Sequence, residues 1–191
     1  MIVITSETLG YKELDIINEL FKEGLDVLHV RKPGISQDEL SIYLQSIDER
    51  YRSQICLHQW HSLAESLGIN RFHYKDGAQS LYQKKNSATI LSASTHSMET
   101  FNALPKECSY AFLSPVFESI SKVGYKPKVN MVKALEQRSN VKTRLVALGG
   151  IDSDNIAYVL ESGYNDVALS GAIWNSTEPI KKFIQCMNFA R

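Results

Sequence analysis

The chain lacks a net charge: 21 Lys and Arg balance 21 Asp and Glu. Nucleic acid and anionic membranes select a basic surface, so neither is the expected main partner. A long apolar run is also missing. The N-terminal "MIVIT" stops far short of a signal peptide or a membrane span. Cysteine is scarce. Cys56, Cys108 and Cys186 are three, an odd number, widely spaced and without a CxxC or a zinc-like Cys/His cluster. They read as buried thiols of a reducing cytoplasm, which is the expected location. No Gly-x-Ser-x-Gly occurs, and without that nucleophile elbow a Ser-His-Asp hydrolase is not expected.

What is present describes one ordinary globular domain over 1–191, with 43% hydrophobic and 22% charged residues. One pattern repeats: "LFKEGLDVLHVRK", "LAESLGINRFHYK" and "VLESGYNDVALSG" each run from a helix end through Gly into an apolar strand. Gly suits the helix C-cap, and the apolar residue after it packs back on the last turn. The periodicity predicts strands near 2–6, 27–32, 54–58, 71–75, 89–95, 110–115, 144–149 and 166–171. It predicts helices near 11–23, 36–49, 60–67, 98–104, 129–138, 153–162 and 177–188, with a reduced fourth helix in "DGAQSLYQKKNS". Strands such as "RLVALG" are apolar on both faces, as buried parallel strands are. Eight such units predict a compact (β/α)8 TIM barrel with short loops; an open doubly wound sheet is the alternative.

In a barrel, the residues at the strand ends are the candidates for function. The second strand ends in His29, Val30, Arg31 and Lys32, two adjacent cations suited to an anion. The third ends in His58-Gln59-Trp60-His61. Zinc would need a third ligand that this spacing does not supply, so no metal site is expected there. The fourth places His73 and Lys75 on one face by strand alternation, and the fifth ends in Ser94-Thr95-His96-Ser97. Hydroxyls beside an imidazole can bind an oxyanion or move a proton, or simply cap the next helix. The longest loop, "LSPVFESISKVGYKPK", carries Ser119, Ser121 and Lys122. Such a loop is expected to close over a ligand. The seventh strand leaves through Gly149-Gly150 and the eighth through Ser170-Gly171. Small residues at both ends predict a phosphate site there.

Five segments in order resemble one family, the thiamine phosphate synthases and their TenI-like relatives. "VLHVRK" resembles its Q-L-R-x-K strand, and "SASTHS" its G-x-S-x-H segment. "LSPVFESISK" is similar to G-P-[IV]-F-x-T-x-T-K, "VALGGIDSDNI" to A-[IL]-G-G-I-x-x-x-N, and "VALSGAI" to V-A-V-x-S-A-I. The resemblance implies a small (β/α)8 barrel that joins a pyrimidine methyl diphosphate to a thiazole phosphate and releases pyrophosphate. It implies that Gly149, Gly150, Ser170 and Gly171 receive the thiazole phosphate, and that Ser119, Ser121 and Lys122 flank it or the pyrophosphate. Arg31 and Ser94 would lie near the pyrophosphate, with Arg31, Ser94 and Lys122 as the catalytic set. His29, Lys32, His73, Lys75 and His96 complete the expected substrate contacts.

The chain also departs from the family pattern. The synthases' Mg2+-binding aspartates fall on Gln59 and Ala78, and the glutamine before the strand-2 arginine is His29. A hard cation wants carboxylate oxygens. Mg2+ would therefore depend on Asp76 or on the pyrophosphate itself. The TenI-like tautomerases carry a histidine where this chain has Pro115. Three readings stay open: a synthase, a tautomerase using His29, His73 or His96, and a non-catalytic thiazole phosphate binder. The chain could act alone or as a homo-oligomer.

Overall fold

The computed structural model describes residues 1–78, 87–118, 124, 126, 127 and 129–190. Eight strands run β1 (Ile2–Ile4), β2 (Val27–Val30), β3 (Ile55–Leu57), β4 (Arg71–Tyr74), β5 (Ile90–Thr95), β6 (Cys108–Leu113), β7 (Arg144–Leu148) and β8 (Asp166–Leu169). Each pairs in parallel with the next, and β8 returns to β1 with Ile2 opposite Ala168, so the sheet is a closed barrel. The open doubly wound alternative is thereby excluded.

Strand alternation sorts the side chains into two layers. Val3, Leu28, Leu57, Phe72, Leu91, Ala111, Leu145 and Val167 point outward and join the helices in the larger core. Ile2, Ile4, Val27, Cys56, Tyr110, Phe112, Val146 and Ala168 fill the barrel interior. The outer ring comprises α1 (Glu13–Lys22), α2 (Gln37–Gln45), α3 (Ala64–Leu67), α4 (Met98–Asn102), α5 (Ile156–Glu161), α6 (Gly171–Trp174) and α7 (Pro179–Ala190). Helix α1 buries Ile17, Leu20 and Phe21 and ends at Gly24, whose φ of 97° lets the Leu25 N–H return to the Leu20 carbonyl at 3.0 Å.

The strands fall within a residue or two of their expected positions, whereas several helices are shorter. The segment expected as one helix over 36–49 is α2, opened by a Ser36–Glu39 capping box, followed by a separate 3-10 turn over Glu49–Gln54. Asp48 caps that turn by accepting from the Arg50 N–H, which breaks the run. The helix expected over 129–138 is reduced to a 3-10 turn at Lys133–Gln137. Beyond it, Arg138 bonds the Asn140 and Thr143 carbonyls and the Asn165 amide, and these bonds compete with helical continuation. Helix α6, starting directly after Ser170, was not expected. Trp174 Nε1 fixes it to the end of β1 by donating to the Ile4 carbonyl at 2.7 Å. The expected fourth helix lies largely outside the described residues.

Candidate active site

The C-terminal ends of the strands surround a cavity of about 1110 Å3. One side is formed by Leu148, Gly149, Gly150, Ile151, Ser170 and Gly171, after β7 and β8. The wall from β2 to β5 brings Arg31, His58, His73, Lys75, Ser94 and His96. The sequence-derived candidates Arg31, Ser94, His73, Lys75, His96, Gly149, Gly150, Ser170 and Gly171 therefore converge on one space.

The double glycine has a packing reason as well as a turn reason. Both residues sit at positive φ, 98° and 67°. A Cβ on Gly149 would lie 2.8 Å from Pro115 Cα, and one on Gly150 would lie 2.4 Å from the Glu118 carbonyl oxygen. The segment after β6 runs directly over these glycines, tied by Val116 N–H to Leu148 O at 2.9 Å and Phe117 N–H to Gly149 O at 3.0 Å. The Asn155 side chain then holds the turn by donating to the Gly150 carbonyl and accepting from the Asp152 N–H.

A polar network runs from the cavity wall at His58, His73 and Ser94 down into the barrel. His29 is fully buried; its Nδ1 is 2.9 Å from His58 Nε2 and its Nε2 is 2.6 Å from the Tyr110 hydroxyl. His73 Nδ1 is 2.9 Å from Ser92 Oγ and its Nε2 is 2.8 Å from Ser94 Oγ. The His58 and His73 rings stack at 4.1 Å, and Phe112 packs against His29 and His73. Burial disfavours the imidazolium. Loss of water, then the neighbouring His61 and Arg31, pushes His73 down to about 3. Burial, followed by the neighbouring His73, holds both His29 and His58 well below the usual histidine range. These rings are neutral at pH 7.

Two candidates sit differently from expectation. His29 lies below the cavity rather than on its surface. Lys32 does not line the cavity: its side chain is buried against α1, with Nζ 2.7 and 2.6 Å from the two Glu13 carboxylate oxygens and 2.8 Å from the Thr8 carbonyl. Strand alternation explains the difference, because Arg31 faces the mouth and its neighbour faces the helix layer. Arg31 itself is half-exposed and paired with Glu7. His96 donates from Nδ1 to the Ser114 carbonyl at 2.8 Å. Ser119, Ser121 and Lys122, and with them the expected closing loop, lie outside the described residues.

A family model described as "Thiamine monophosphate synthase" matches residues 1–173. The chain belongs to the thiamine monophosphate synthase family. A thiamine-phosphate synthase of Prochlorococcus marinus is 29% identical over 87% of this chain, which spans about half (49%) of that relative's length. One from Lysinibacillus sphaericus is 25% identical over 91% of this chain and 86% of its own length. A crystal structure of thiamine phosphate pyrophosphorylase from Bacteroides thetaiotaomicron superimposes with a TM-score of 0.79 at 28% identity, covering 100% of this chain and 96% of that one. The family is thus one of synthase-type enzymes, and its barrel is the one seen here.

Mg2+, which the family resemblance implies, fits this cavity poorly. Gln59 turns its amide away to donate to the Lys32 carbonyl at 2.6 Å, and Ala78 has no donor atom. Among the described residues, Glu7 and Asp76 are the carboxylates lining the cavity, and Glu7 is engaged with Arg31. That donor set is too thin for a hard cation.

The sequence reading of this synthase-family chain missed Tyr110, Ser92 and the joining of His58 to His29 and His73. Positions 29, 58 and 73 follow no metal or catalytic spacing. The available signal was strand alternation, which puts residues 29, 73, 92 and 110 in the barrel interior once a closed barrel is assumed.

Proposed function

We propose that the chain is a thiamine phosphate synthase that joins a pyrimidine methyl diphosphate to a thiazole phosphate and releases pyrophosphate. The observation that carries the reading is the family match over residues 1–173 on a barrel whose cavity joins the β7–β8 small-residue ends to a β2–β5 wall carrying Arg31, Lys75 and Ser94. In this reaction the bond from the methylene carbon to the diphosphate oxygen breaks, and its electron pair leaves on pyrophosphate. The thiazole nitrogen supplies the pair for the new carbon–nitrogen bond, so no proton has to move.

The residues then divide by chemistry. Gly149, Gly150, Ser170 and Gly171 line the end of the cavity that would take the thiazole phosphate on main-chain N–H groups, while the segment after β6 fills the side-chain positions of the two adjacent glycines. Arg31, Lys75 and the Ser94 hydroxyl face the side where negative charge grows on the departing pyrophosphate. Arg31 would exchange its Glu7 partner for the diphosphate. Ser119, Ser121 and Lys122 belong to the same proposal as further donors to the anions.

A tautomerase is favoured by one observation, the His58–His29–Tyr110 chain, which could hold and pass a proton. Calorimetric titration with each substrate, alongside product analysis, separates the readings. The synthase binds both ligands and couples them. A tautomerase converts a thiazole phosphate carboxylate without any pyrimidine, and a binder takes up thiazole phosphate with no turnover. Failure to bind the pyrimidine diphosphate would refute the synthase reading.

A further inference from the structure

Three neutral imidazoles meet where β2, β3 and β4 leave the barrel. The register pairs Leu57 with Phe72, so the next residues, His58 and His73, stand side by side. His29 reaches them from β2, where it pairs with Cys56. One nitrogen from each ring lies within 4.8 Å of the other two. The ring centroids of His29 are 5.1 Å from His58 and 5.2 Å from His73.

We propose that His29, His58 and His73 form a three-nitrogen site for a borderline divalent cation of the zinc class. The His29 Nδ1 and His58 Nε2 atoms face each other at 2.9 Å. Imidazoles bound to zinc at about 2.0–2.1 Å in a tetrahedron hold their nitrogens roughly 3.3 Å apart. Opening that pair by a few tenths of an ångström and turning His73 inward completes the triangle. The outer nitrogens already hold hydrogen-bond partners of the kind that orient metal-bound imidazoles: His29 Nε2 with Tyr110, His73 Nδ1 with Ser92. Donation of those N–H groups outward turns the inner lone pairs toward a cation, for which His73 Nε2 exchanges its Ser94 Oγ partner at 2.8 Å. No carboxylate is part of the trio, so it selects against Mg2+ and Ca2+ and for an imidazole-preferring ion. His58 and His73 line the cavity, which leaves the fourth position facing it, open to water or to an anionic oxygen of a ligand. The site is independent of the synthase reading.

The test uses the full chain, stripped with chelator and titrated with Zn2+, Co2+ or Mg2+ alone. The proposal expects one equivalent of Zn2+ to bind at submicromolar concentration and to raise the melting temperature. Co2+ should give the intense visible bands of a four-coordinate nitrogen and oxygen site, without a thiolate charge-transfer band. Mg2+ at millimolar concentration should shift nothing. His58→Ala, the half-buried member, should weaken Zn2+ binding at least a hundredfold, and His73→Gln should do likewise. His61→Ala, near the trio but outside it, should leave the affinity within threefold. The Co2+ spectrum reads the ligand set in the unmutated chain, so misfolding of either variant would leave a decisive measurement. Absence of stoichiometric Zn2+, or equal Zn2+ affinity in His58→Ala and His73→Gln, would overturn the site and leave a metal-free proton chain in its place. Coupling activity without Zn2+ binding would sink the metal site alone.

Discussion

Lys32 Nζ sits between both carboxylate oxygens of Glu13, at 2.7 and 2.6 Å, with the two side chains only 2% and 3% exposed. The pair locks the end of β2 to the first turn of α1. A buried ion pair is worth little over an apolar pair of the same shape, but breaking it strands a charge. Glu13→Ala should therefore cost about 3–5 kcal/mol in urea unfolding. The double variant Glu13→Leu with Lys32→Met should recover most of that loss. A Glu13→Ala protein as stable as the parent would show that Lys32 finds another partner or solvent.

The three barrel histidines give the metal-free protein a pH signature. Their folded values lie below the ordinary 6.5, with His73 at about 3. The unfolded chain therefore binds protons first as pH falls, and stability drops with it. Full stability is expected above about pH 6.5, with loss beginning between pH 6.5 and 5, before most carboxylates titrate. Denaturant melts across that range check this. His73→Gln should flatten the slope by about one proton. A flat profile down to pH 5 would mean that the rings are solvated or already charged in the folded state.

Gly150 couples two loops. Any Cβ there meets the Glu118 carbonyl oxygen at 2.4 Å on a backbone of φ 67°. Gly150→Ala should destabilise the protein by at least about 2 kcal/mol, combining the left-handed backbone cost with displacement of the β6 loop. Thermal denaturation measures it. An unchanged melting temperature would mean that the β6 segment is free to move away.

Ser170 allows a cleaner probe of the phosphate end. The Ser170 side chain makes no capping hydrogen bond to α6, and a carboxylate at a helix start is not unfavourable, so Ser170→Asp should keep α6 and change stability by less than about 1 kcal/mol. Its carboxylate would face the proposed thiazole phosphate. Affinity for that ligand should fall at least tenfold, about 1.4 kcal/mol, by calorimetry. Equal affinity would move the phosphate elsewhere in the cavity.

The barrel was legible because its strands announce themselves: "RLVAL" and "DVAL" are apolar on both faces, and Gly24 and Gly68 mark helix ends by their caps. The helices were less legible where side chains take over backbone groups, as Asp48 and Arg138 do. Convergence of Arg31, Lys75, Ser94, Gly150 and Ser170 followed from strand-end position alone. Lys32 was misjudged because adjacent strand residues face opposite layers, and charge alone does not say which. The histidine trio was invisible for another reason. Its members are separate in sequence and meet through inter-strand register, which a single strand's pattern does not encode.

The coupling reaction itself tests the central claim most directly. The purified chain is incubated with pyrimidine methyl diphosphate and thiazole phosphate, with Mg2+ and Zn2+ supplied in separate arms. Mass spectrometry follows thiamine phosphate while a phosphate assay follows pyrophosphate. The account predicts that the two products appear in equal amounts and that Arg31→Ala lowers the rate at least tenfold. Saturating binding of both ligands with no coupled product in either arm would contradict it.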